Sequence, residues 1–427
     1  MLIKQSTIFK VVIFAVSLYV LGYLDLFMPP NNELFRPVTG SIAIILAVAT
    51  FFIKNKGEEY KKHIKFVNLF FMFYIPIILV TAVLSVFWYK YKLASLAAIV
   101  MPYFYPLYAY PLVYIFSKDK SHENYLRVIV GMVVVIMGLK AVAWYLYNFQ
   151  HITIFPNVLL KHSEGWVRNG VLRVDVGGLY GVAICYTMTS AFVKRNRKAA
   201  AISIGLALFS VFITQYRYLE IVILLVALLV YLVSTDSDKK KLIRILLLAG
   251  MGVAFILAGG LDMILASFSV ENKDYGSSNE ARIITIDYFW SIMEGIQYIV
   301  GLGMLYTGYS PQATALLTRS STLTYWLEDI GILGGFFMFG YLSFIIYGTL
   351  FYHAVKSSIL SIKDRLKDRA YLTSITGYMI MCCIMLNILD RQRIFDTSFY
   401  IAIISYISAQ TYKPRLKPPI FRRLMDI

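Results

Sequence analysis

The sequence predicts an all-α polytopic membrane protein of about twelve transmembrane helices, and three observations lead to that class. The 427 residues are 59% hydrophobic and only 15% charged, and a soluble domain has too little polar surface to cover so much apolar material. The apolar residues form long runs, several of which reach the roughly 20 residues that a helix needs to cross a hydrocarbon core. No run alternates apolar and polar residues like an outer-membrane barrel strand. Because backbone groups in lipid must be satisfied within the segment, each run is interpreted as a helix.

Twelve apolar runs divide the chain, which forms one predicted transmembrane domain over residues 1–427. The predicted spans are 8–28, 39–53, 66–88, 93–116, 125–149, 176–193, 199–214, 218–234, 243–266, 330–352, 369–388 and 395–411. No small-x-small cleavage site follows the first run, so it is interpreted as the first helix and not as a signal peptide. The second run is short and is expected to tilt or to extend beyond these limits. Three prolines, at positions 102, 106 and 111, predict a kink in the fourth span.

The distribution of positive charge predicts that both ends of the chain lie in the cytoplasm. With the N-terminus inside, the cytoplasmic segments are 54–65, 117–124, 194–198, 235–244, 353–369 and the tail from Lys413. This side carries 28 of the 41 Lys and Arg residues and the other side carries 12, while Lys140 lies inside the fifth span. The alternation follows the positive-inside rule. The net charge of +17 therefore reflects topology and does not indicate a nucleic-acid partner.

Two connections on the outer side are long, at residues 150–175 and 267–329. Long loops are where binding and catalytic residues are often found. Inside the second loop, the sequence of residues 281–299 predicts an amphipathic helix that lies along the membrane surface. We therefore expect functional residues in these two loops.

The outer side is rich in arginine, with eight Arg and four Lys, whereas the inner side has nine Arg and 19 Lys. The outer arginines are Arg36, Arg168, Arg173, Arg217, Arg282, Arg319, Arg391 and Arg393. Lysine suffices to set topology, so the outer arginines indicate another role. A guanidinium binds phosphate through paired N–H groups and stays charged when partly buried. The alternative is that each side chain reaches the interface and pairs with an outer acid such as Asp175 or Asp390.

Four motifs follow one another along the outer side. Arg173 precedes a glycine-rich helix start in VLRVDVGGLYGVA, and Arg217 ends the helix junction ITQYR. Arg282 opens a helix that ends in GLG at residues 301–303, and STLTYWLEDIGILG follows at 321–334. Each motif is short, and it is their order, spacing and sidedness that carry information.

In order and spacing these motifs resemble the O-antigen ligase and polymerase superfamily, which contains the Wzy polymerases and the WaaL ligases, over roughly residues 165–350. The resemblance implies a GT-C-like transmembrane fold in the bacterial inner membrane, with its active face in the periplasm. It also implies a metal-independent transfer without a cofactor, in which a growing glycan moves from undecaprenyl pyrophosphate to a sugar of an incoming lipid-linked repeat unit. The implied partners are the bilayer, the undecaprenyl-pyrophosphate-linked oligosaccharide and a chain-length-regulating membrane protein of the Wzz type.

One position departs from the family pattern and bears on the choice between its two enzyme classes. Counting back from Gly331, the family's histidine falls at Ser320 and its asparagine at Ser321. WaaL-type ligases use that histidine, whereas Wzy-type polymerases vary at this position. The departure therefore favours a polymerase over a ligase.

Arginines and one acid form the site that the resemblance implies. The predicted catalytic residues are Arg217, Arg282 and Asp329, and the predicted pyrophosphate- and glycan-binding residues are Arg173, Arg217, Arg282, Arg319, Arg391 and Arg393. A pyrophosphate leaving group needs charge stabilisation rather than a strong acid, and clustered arginines supply it without a metal. Arg391 and Arg393 form a weaker set, with Arg36 and Arg168, since ion pairs with neighbouring aspartates explain them equally well. No Asp-x-Asp or His-rich signature occurs on the outer side.

The sequence does not identify the base that activates the acceptor hydroxyl. The candidates are Glu328, Asp329, Asp175 and Glu220, with His162 as a further one in the first outer loop. Asp329 fits the acidic position of the family motif, although an acid there can instead hold an arginine in place. Lys140 lies in the middle of a span, where a cation is unfavourable in lipid, so it is expected to face the bundle interior or a wet cavity.

Three other functions compete with a polymerase. A flippase for lipid-linked oligosaccharides more often shows two related halves and cations buried within helices, and no internal repeat is visible here. A ligase shares the fold and the donor. A non-catalytic scaffold leaves the outer arginines unexplained.

Overall fold

A computed structural model describes residues 5–27, 32–53, 57–119, 122–160, 167–168, 170–235, 237, 239, 242–247, 250, 276–318 and 324–411. The helices with their labels are α1 (Gln5–Val20), α2 (Asn32–Phe51), α3 (Gly57–Tyr89), α4 (Leu93–Val100), α5 (Ala109–Asp119), α6 (His122–Gln150), α7 (Pro156–Leu160), α8 (Tyr180–Lys194), α9 (Arg197–Leu208), α10 (Arg217–Val233), α11 (Gly276–Ile292), α12 (Gln297–Val300), α13 (Pro311–Leu317), α14 (Gly331–Phe339), α15 (Leu342–Lys363), α16 (Arg369–Met385) and α17 (Ile394–Thr411). A two-stranded hairpin of β1 (Val167–Arg168) and β2 (Val171–Leu172) is a small exception to the all-α prediction.

Five helices in the described part of the chain are long and apolar enough to cross a membrane. They are Leu34–Phe51, Glu58–Tyr89, Leu93–Ser117, His122–Gln150 and Arg197–Thr214, and α1 is a shorter apolar helix. The class of the fold is therefore an all-α membrane protein, as predicted. The number of twelve spans stays a prediction, and most of the predicted span 243–266 lies outside the described residues.

The fourth predicted span bends at its prolines. Between α4 and α5, residues Met101–Tyr108 form a 3-10 helix that contains Pro102 and Pro106. Proline lacks the N–H that an α-helix needs at these positions, so the chain tightens there instead of continuing straight. The predicted kink is confirmed, and it turns several tyrosines of this segment into the core.

The predicted span at 330–352 is not one continuous helix, because two helices occupy it. Helix α14 ends at Phe339, Gly340 takes the left-handed φ of 61°, and α15 begins at Leu342. A Cβ at position 340 would lie 2.4 Å from the carbonyl oxygen of Ile299. The break therefore exists because the main chain at Ile299 passes close to position 340.

The predicted amphipathic helix at 281–299 is also shorter than expected. Helix α11 ends at Ile292, and α12 follows as a separate single turn. One face of α11 buries Thr285 and Phe289, but the opposite face exposes Ile283 and Trp290. Its exposed positions also include Asp287 and Ser291, and the prediction of an amphipathic helix along the membrane surface stays a prediction.

Helix α17 forms the centre of the bundle. It packs against α3, α5, α15, α16 and the 3-10 segment, and its apolar side chains from Phe395 to Ile407 are buried on all sides. A helix that is apolar all round belongs in a core. The short loop that precedes α17, residues 386–393, is consequently held at the centre of one end of the molecule.

Helix α14 is fixed at both of its ends by main-chain contacts at glycines. At its start, Gly331 has φ 61°, and a Cβ there would lie 2.2 Å from the carbonyl oxygen of Ile384. At its end, the amide of Leu302 donates to the carbonyl of Phe337 at 2.7 Å. These contacts set the position of the 3-10 turn Leu327–Asp329, which comes just before α14.

Candidate functional site

A cavity of about 600 Å³ opens among the ends of several helices and the loops next to them. Its charged lining residues are Arg36, Lys140, Arg391, Arg393, Asp25, Asp175, Glu328, Asp329 and Asp396, and its tyrosines are Tyr19, Tyr105, Tyr180, Tyr216, Tyr218, Tyr378 and Tyr400. Concave sites of this size, with aromatic walls and a few convergent polar groups, are the usual form of a binding site for small molecules and cofactors.

Arg393 connects the loop before α17 to the turn before α14. Its Nη1 donates to the carbonyl oxygen of Glu328 at 3.0 Å, and its Nη2 pairs with Oδ1 of Asp329 at 3.3 Å. The amide of Asn387 donates to the same Glu328 carbonyl at 3.0 Å. The carboxylate of Asp329 therefore holds an arginine, which is the alternative role that the sequence left open for it; its predicted catalytic role stays a prediction.

Arg391 lines the cavity and has two donor atoms without an acceptor among the described residues. Its guanidinium carbon lies 3.8 Å from the centre of the Tyr306 ring and 5.5 Å from that of Tyr309. Within the described part of the chain, its Nε and Nη1 atoms are buried and have no hydrogen-bond partner. A buried N–H without an acceptor is unfavourable, and a guanidinium has only donors to offer. An anionic ligand in the cavity could accept hydrogen bonds from these two atoms.

Tyr306 links the loop that carries Arg391 to the buried core through hydrogen bonds. Its hydroxyl donates to Oδ2 of Asp390 at 3.1 Å and lies 2.7 Å from the hydroxyl of Tyr103. Oδ1 of Asp390 accepts the amide of Gln392 at 2.8 Å. The carboxylate of Asp390 is thus bonded on both oxygens, and it keeps the loop that presents Arg391 in one conformation.

Glu328 lies at the edge of the cavity and also lines a second, smaller one of about 60 Å³. Its Oε1 accepts the side-chain amide of Gln392 at 3.0 Å. Burial raises the pKa of Glu328 to about 8, with a further increase from the negative charges of Asp390 and Asp329, against the opposing effect of Arg393 and Arg391. This carboxyl group therefore changes its charge close to neutral pH.

Lys140 also lies in the wall of the cavity. It is 6% exposed, and its Nζ donates to the carbonyl oxygen of Asp175 at 3.2 Å. The prediction that this lysine faces the interior or a wet cavity is confirmed. Nearby, Oδ1 of Asp396 accepts the amide of Leu179 at 2.7 Å, which anchors the start of α8 to α17.

Residues 167–168 and 170–175, part of the loop predicted on the outer side, pack on the junction that carries Arg217. Nη1 of Arg168 donates to the carbonyl of Gln215 at 2.9 Å, and the hydroxyl of Thr214 donates to the carbonyl of Val174 at 3.0 Å. The guanidinium carbon of Arg173 lies 5.9 Å from the Tyr216 ring centre. The structure thus brings Arg173 close to Tyr216, the residue before Arg217.

The described arginines that the motifs favoured do not line the cavity. In the described residues, Arg173, Arg217 and Arg282 are not among those that line it. Tyr216 and Tyr218, on either side of Arg217, line the cavity instead. The site roles of these three arginines stay predictions. Arg319, Ser320 and His162 lie outside the described residues.

The structure gives the weaker set of arginines a more central place. Arg36, Arg391 and Arg393 all line the cavity. The signal for the last two was visible in the sequence as DRQR, a charged tetrapeptide between two apolar runs. Sequence reasoning missed Tyr306 and Tyr309, because nothing distinguishes them among 33 tyrosines.

No family model matches the chain, and no curated protein matches it either. The resemblance found in the motifs therefore stays a hypothesis. The geometry of the cavity alone defines the site. Arg391 has two buried donor atoms without an acceptor among the described residues, Arg393 pairs with Asp329, and Glu328 has a raised pKa.

Proposed function

We propose that the protein is a membrane glycosyltransferase that polymerises polysaccharide repeat units. In this reaction the growing glycan leaves undecaprenyl pyrophosphate and joins a sugar of an incoming undecaprenyl-pyrophosphate-linked repeat unit. The observation that carries the proposal is the guanidinium of Arg391, whose Nε and Nη1 are buried in the cavity wall without an acceptor among the described residues. The proposal includes the twelve-helix topology with both ends in the cytoplasm and the cavity on the periplasmic side of a bacterial inner membrane.

The proposed role of Arg391 follows from the leaving group. A sugar pyrophosphate departs without a strong acid if the charge that develops on its oxygens is stabilised. Arg391 offers N–H groups for those oxygens, and Arg393 adds a second positive charge that Asp329 holds in place. The predicted arginines that do not line the cavity, including Arg282 and Arg217, would contribute at longer range. Arginine suits this work because its charge persists when it is buried.

The remaining walls suit a glycan. Tyrosine rings offer flat apolar faces for sugar C–H groups and hydroxyls that form hydrogen bonds. Tyr216 and Tyr218 form one such pair, with ring centres 5.8 Å apart and planes inclined by 26°. Trp326, half of whose surface is exposed, stands at the rim of both cavities. A cavity that has arginines at one side and aromatic rings at others can hold a phosphate and a sugar together.

A flippase for the same lipid-linked oligosaccharide is the second candidate, and Lys140 is the observation that favours it. A buried lysine within a long apolar helix is typical of membrane proteins that move charged substrates. A flippase relocates its lipid without changing it, whereas a polymerase lengthens the glycan. A ligase would join the glycan to a different acceptor.

The test uses the purified full chain in proteoliposomes with an undecaprenyl-pyrophosphate-linked repeat unit. We expect chains of two and more repeats, and we expect Arg391→Ala to lower their rate of formation by roughly 100- to 1,000-fold, the usual effect of removing one charge-stabilising donor. Arg127→Ala is the matched control, since Arg127 is exposed and pairs with Glu123 on the opposite side of the protein. Lipid that crosses the membrane unchanged would support the flippase, and full activity of Arg391→Ala would refute the assigned site.

A further inference from the structure

Glu328 lies where two cavities meet. The large cavity and the small one share four lining residues, which are Trp326, Glu328, Arg391 and Gln392. Both cavities therefore border the Glu328 carboxyl and the Arg391 guanidinium, so these two groups lie beside anything bound in either cavity. Donor carbon and acceptor hydroxyl need such a meeting point.

We propose that Glu328 is the general base of the glycosyl transfer, an assignment that rests on the proposed function. The acceptor hydroxyl gives its proton to a carboxylate oxygen of Glu328 while its oxygen forms the new bond to the anomeric carbon of the donor sugar. The bond between that carbon and the pyrophosphate oxygen breaks, and its electron pair leaves with the pyrophosphate. Arg391 then faces the departing charge.

The other carboxyl groups near this point are already engaged. Asp329 pairs with Arg393, and Asp390 accepts hydrogen bonds on both of its oxygens and is 2% exposed. Asp396 accepts the amide of Leu179. Gln392 donates to Oε1 of Glu328 alone. Among these four carboxyl groups, Glu328 is the one that lines both cavities, whereas Asp329 and Asp396 line only the large cavity and Asp390 only the small one.

The surroundings of Glu328 also suit a base. Burial, with Asp390 and Asp329 nearby, raises its pKa to about 8, although Arg393 and Arg391 oppose the shift. Tyr306, which contacts Asp390 and Arg391, is the other titratable neighbour on that side. A base works best when its pKa lies near the working pH, because it then combines proton affinity with a useful ionised fraction. The ionised fraction increases as the pH rises through 8.

The first experiment measures polymerisation and donor binding with Glu328→Gln, which keeps the shape of the side chain but cannot take the proton. We expect the rate to fall by roughly 100- to 10,000-fold, while the affinity for undecaprenyl pyrophosphate stays within about threefold. The wild-type rate should rise between pH 6 and 9, and the residual rate of the variant should not. Glu294→Gln is the matched control, since Glu294 is exposed and lies in the same outer loop.

The second experiment uses Glu328→Ala with added formate, a small carboxylate that can enter the vacated space. Recovery of polymerisation with rising formate supports a base, because a structural defect would not respond to it. If both variants bind the donor and polymerise at the wild-type rate with the same pH profile, Glu328 is not the base. If they bind the donor but are inactive and formate restores nothing, Glu328 is a positioning residue and the proposal is wrong. A wild-type protein that binds the donor and makes no polymer overturns the proposed function instead.

Discussion

The Nε atom of Arg282 donates to the main-chain carbonyl of Asp329 at 3.0 Å. The bond joins α11 to the turn before α14. Arg393 binds the same turn, through the carbonyl of Glu328 and the carboxylate of Asp329. Two arginines that are far apart in the sequence thus bind consecutive main-chain carbonyls, that of the glutamate we propose as the base and that of the residue after it.

Replacement of Arg282 should therefore act through the turn. Arg282→Ala removes the hydrogen bond to the Asp329 carbonyl, which is worth about 1.5–3 kcal/mol when the donor is charged. We expect the polymerisation rate to fall at least tenfold, with donor affinity reduced less than in Arg391→Ala. Arg282→Lys should recover only part of the rate, because a lysine keeps the charge but lacks the Nε geometry. Equal losses of donor affinity in Arg282→Ala and Arg391→Ala would instead place Arg282 at the pyrophosphate.

Most helix positions could be predicted from the sequence, because long apolar runs must be buried in lipid or in the protein core. The break at Gly340 did not, since residues 330–352 form a nearly continuous apolar run. The helix breaks at Gly340 because the carbonyl oxygen of Ile299 lies where a side chain at position 340 would place its Cβ. Such contacts between distant segments leave no local pattern.

The site was predictable in its chemistry and less so in its arrangement. An arginine-rich outer side was visible in the composition of the loops, and Arg391 and Arg393 were within the predicted set. The position of the loop that carries them depends on a hydrogen bond from Tyr306 to Asp390, which are 84 residues apart in the chain. The motifs favoured Arg217, but folding turns its neighbours Tyr216 and Tyr218 toward the cavity. Side-chain direction at a short helix junction depends on packing and cannot be inferred from spacing.

Gly331 should be essential for stability. Alanine there would take the left-handed φ of 61° and would place its Cβ 2.2 Å from the carbonyl of Ile384. We expect Gly331→Ala to lower the free energy of unfolding by about 2–4 kcal/mol, from backbone strain together with overpacking. Gly348→Ala is the control, since nothing lies within 4 Å of its Cβ position in the middle of α15. Thermal unfolding of both variants in detergent compares them, and similar unfolding temperatures would show that the contact at Gly331 relaxes freely.

The raised pKa of Glu328 also predicts how stability depends on pH. Folding disfavours the ionised form of this side chain, so its contribution to stability is full below the ordinary pKa of a glutamate and is lost as the pH rises toward 8. Glu328→Gln has no proton to lose, and its unfolding temperature should fall less than that of the wild type between pH 6 and 8. Glu294→Gln should follow the wild-type curve. Parallel curves for wild type and Glu328→Gln would mean that Glu328 titrates alike in the folded and unfolded protein.

The chain offers a convenient background for testing its orientation in the membrane. Cys185, Cys382 and Cys383 are all buried, so a membrane-impermeant maleimide should leave them unlabelled in intact cells. Single cysteines at exposed positions then report the side on which each loop lies. Gly170 and Glu294 represent the two long loops predicted outside.

Arg195 and Lys61, which are exposed in the segments predicted to be cytoplasmic, complete the set. We expect the reagent to label Gly170→Cys and Glu294→Cys in spheroplasts, and to label Arg195→Cys and Lys61→Cys only after the membrane is opened. The physical reason is the excess of Lys and Arg on the cytoplasmic segments. Labelling of either long loop only after permeabilisation would place the cavity with Arg391 on the cytoplasmic side, where a polymerase of the proposed kind could not meet its flipped substrate.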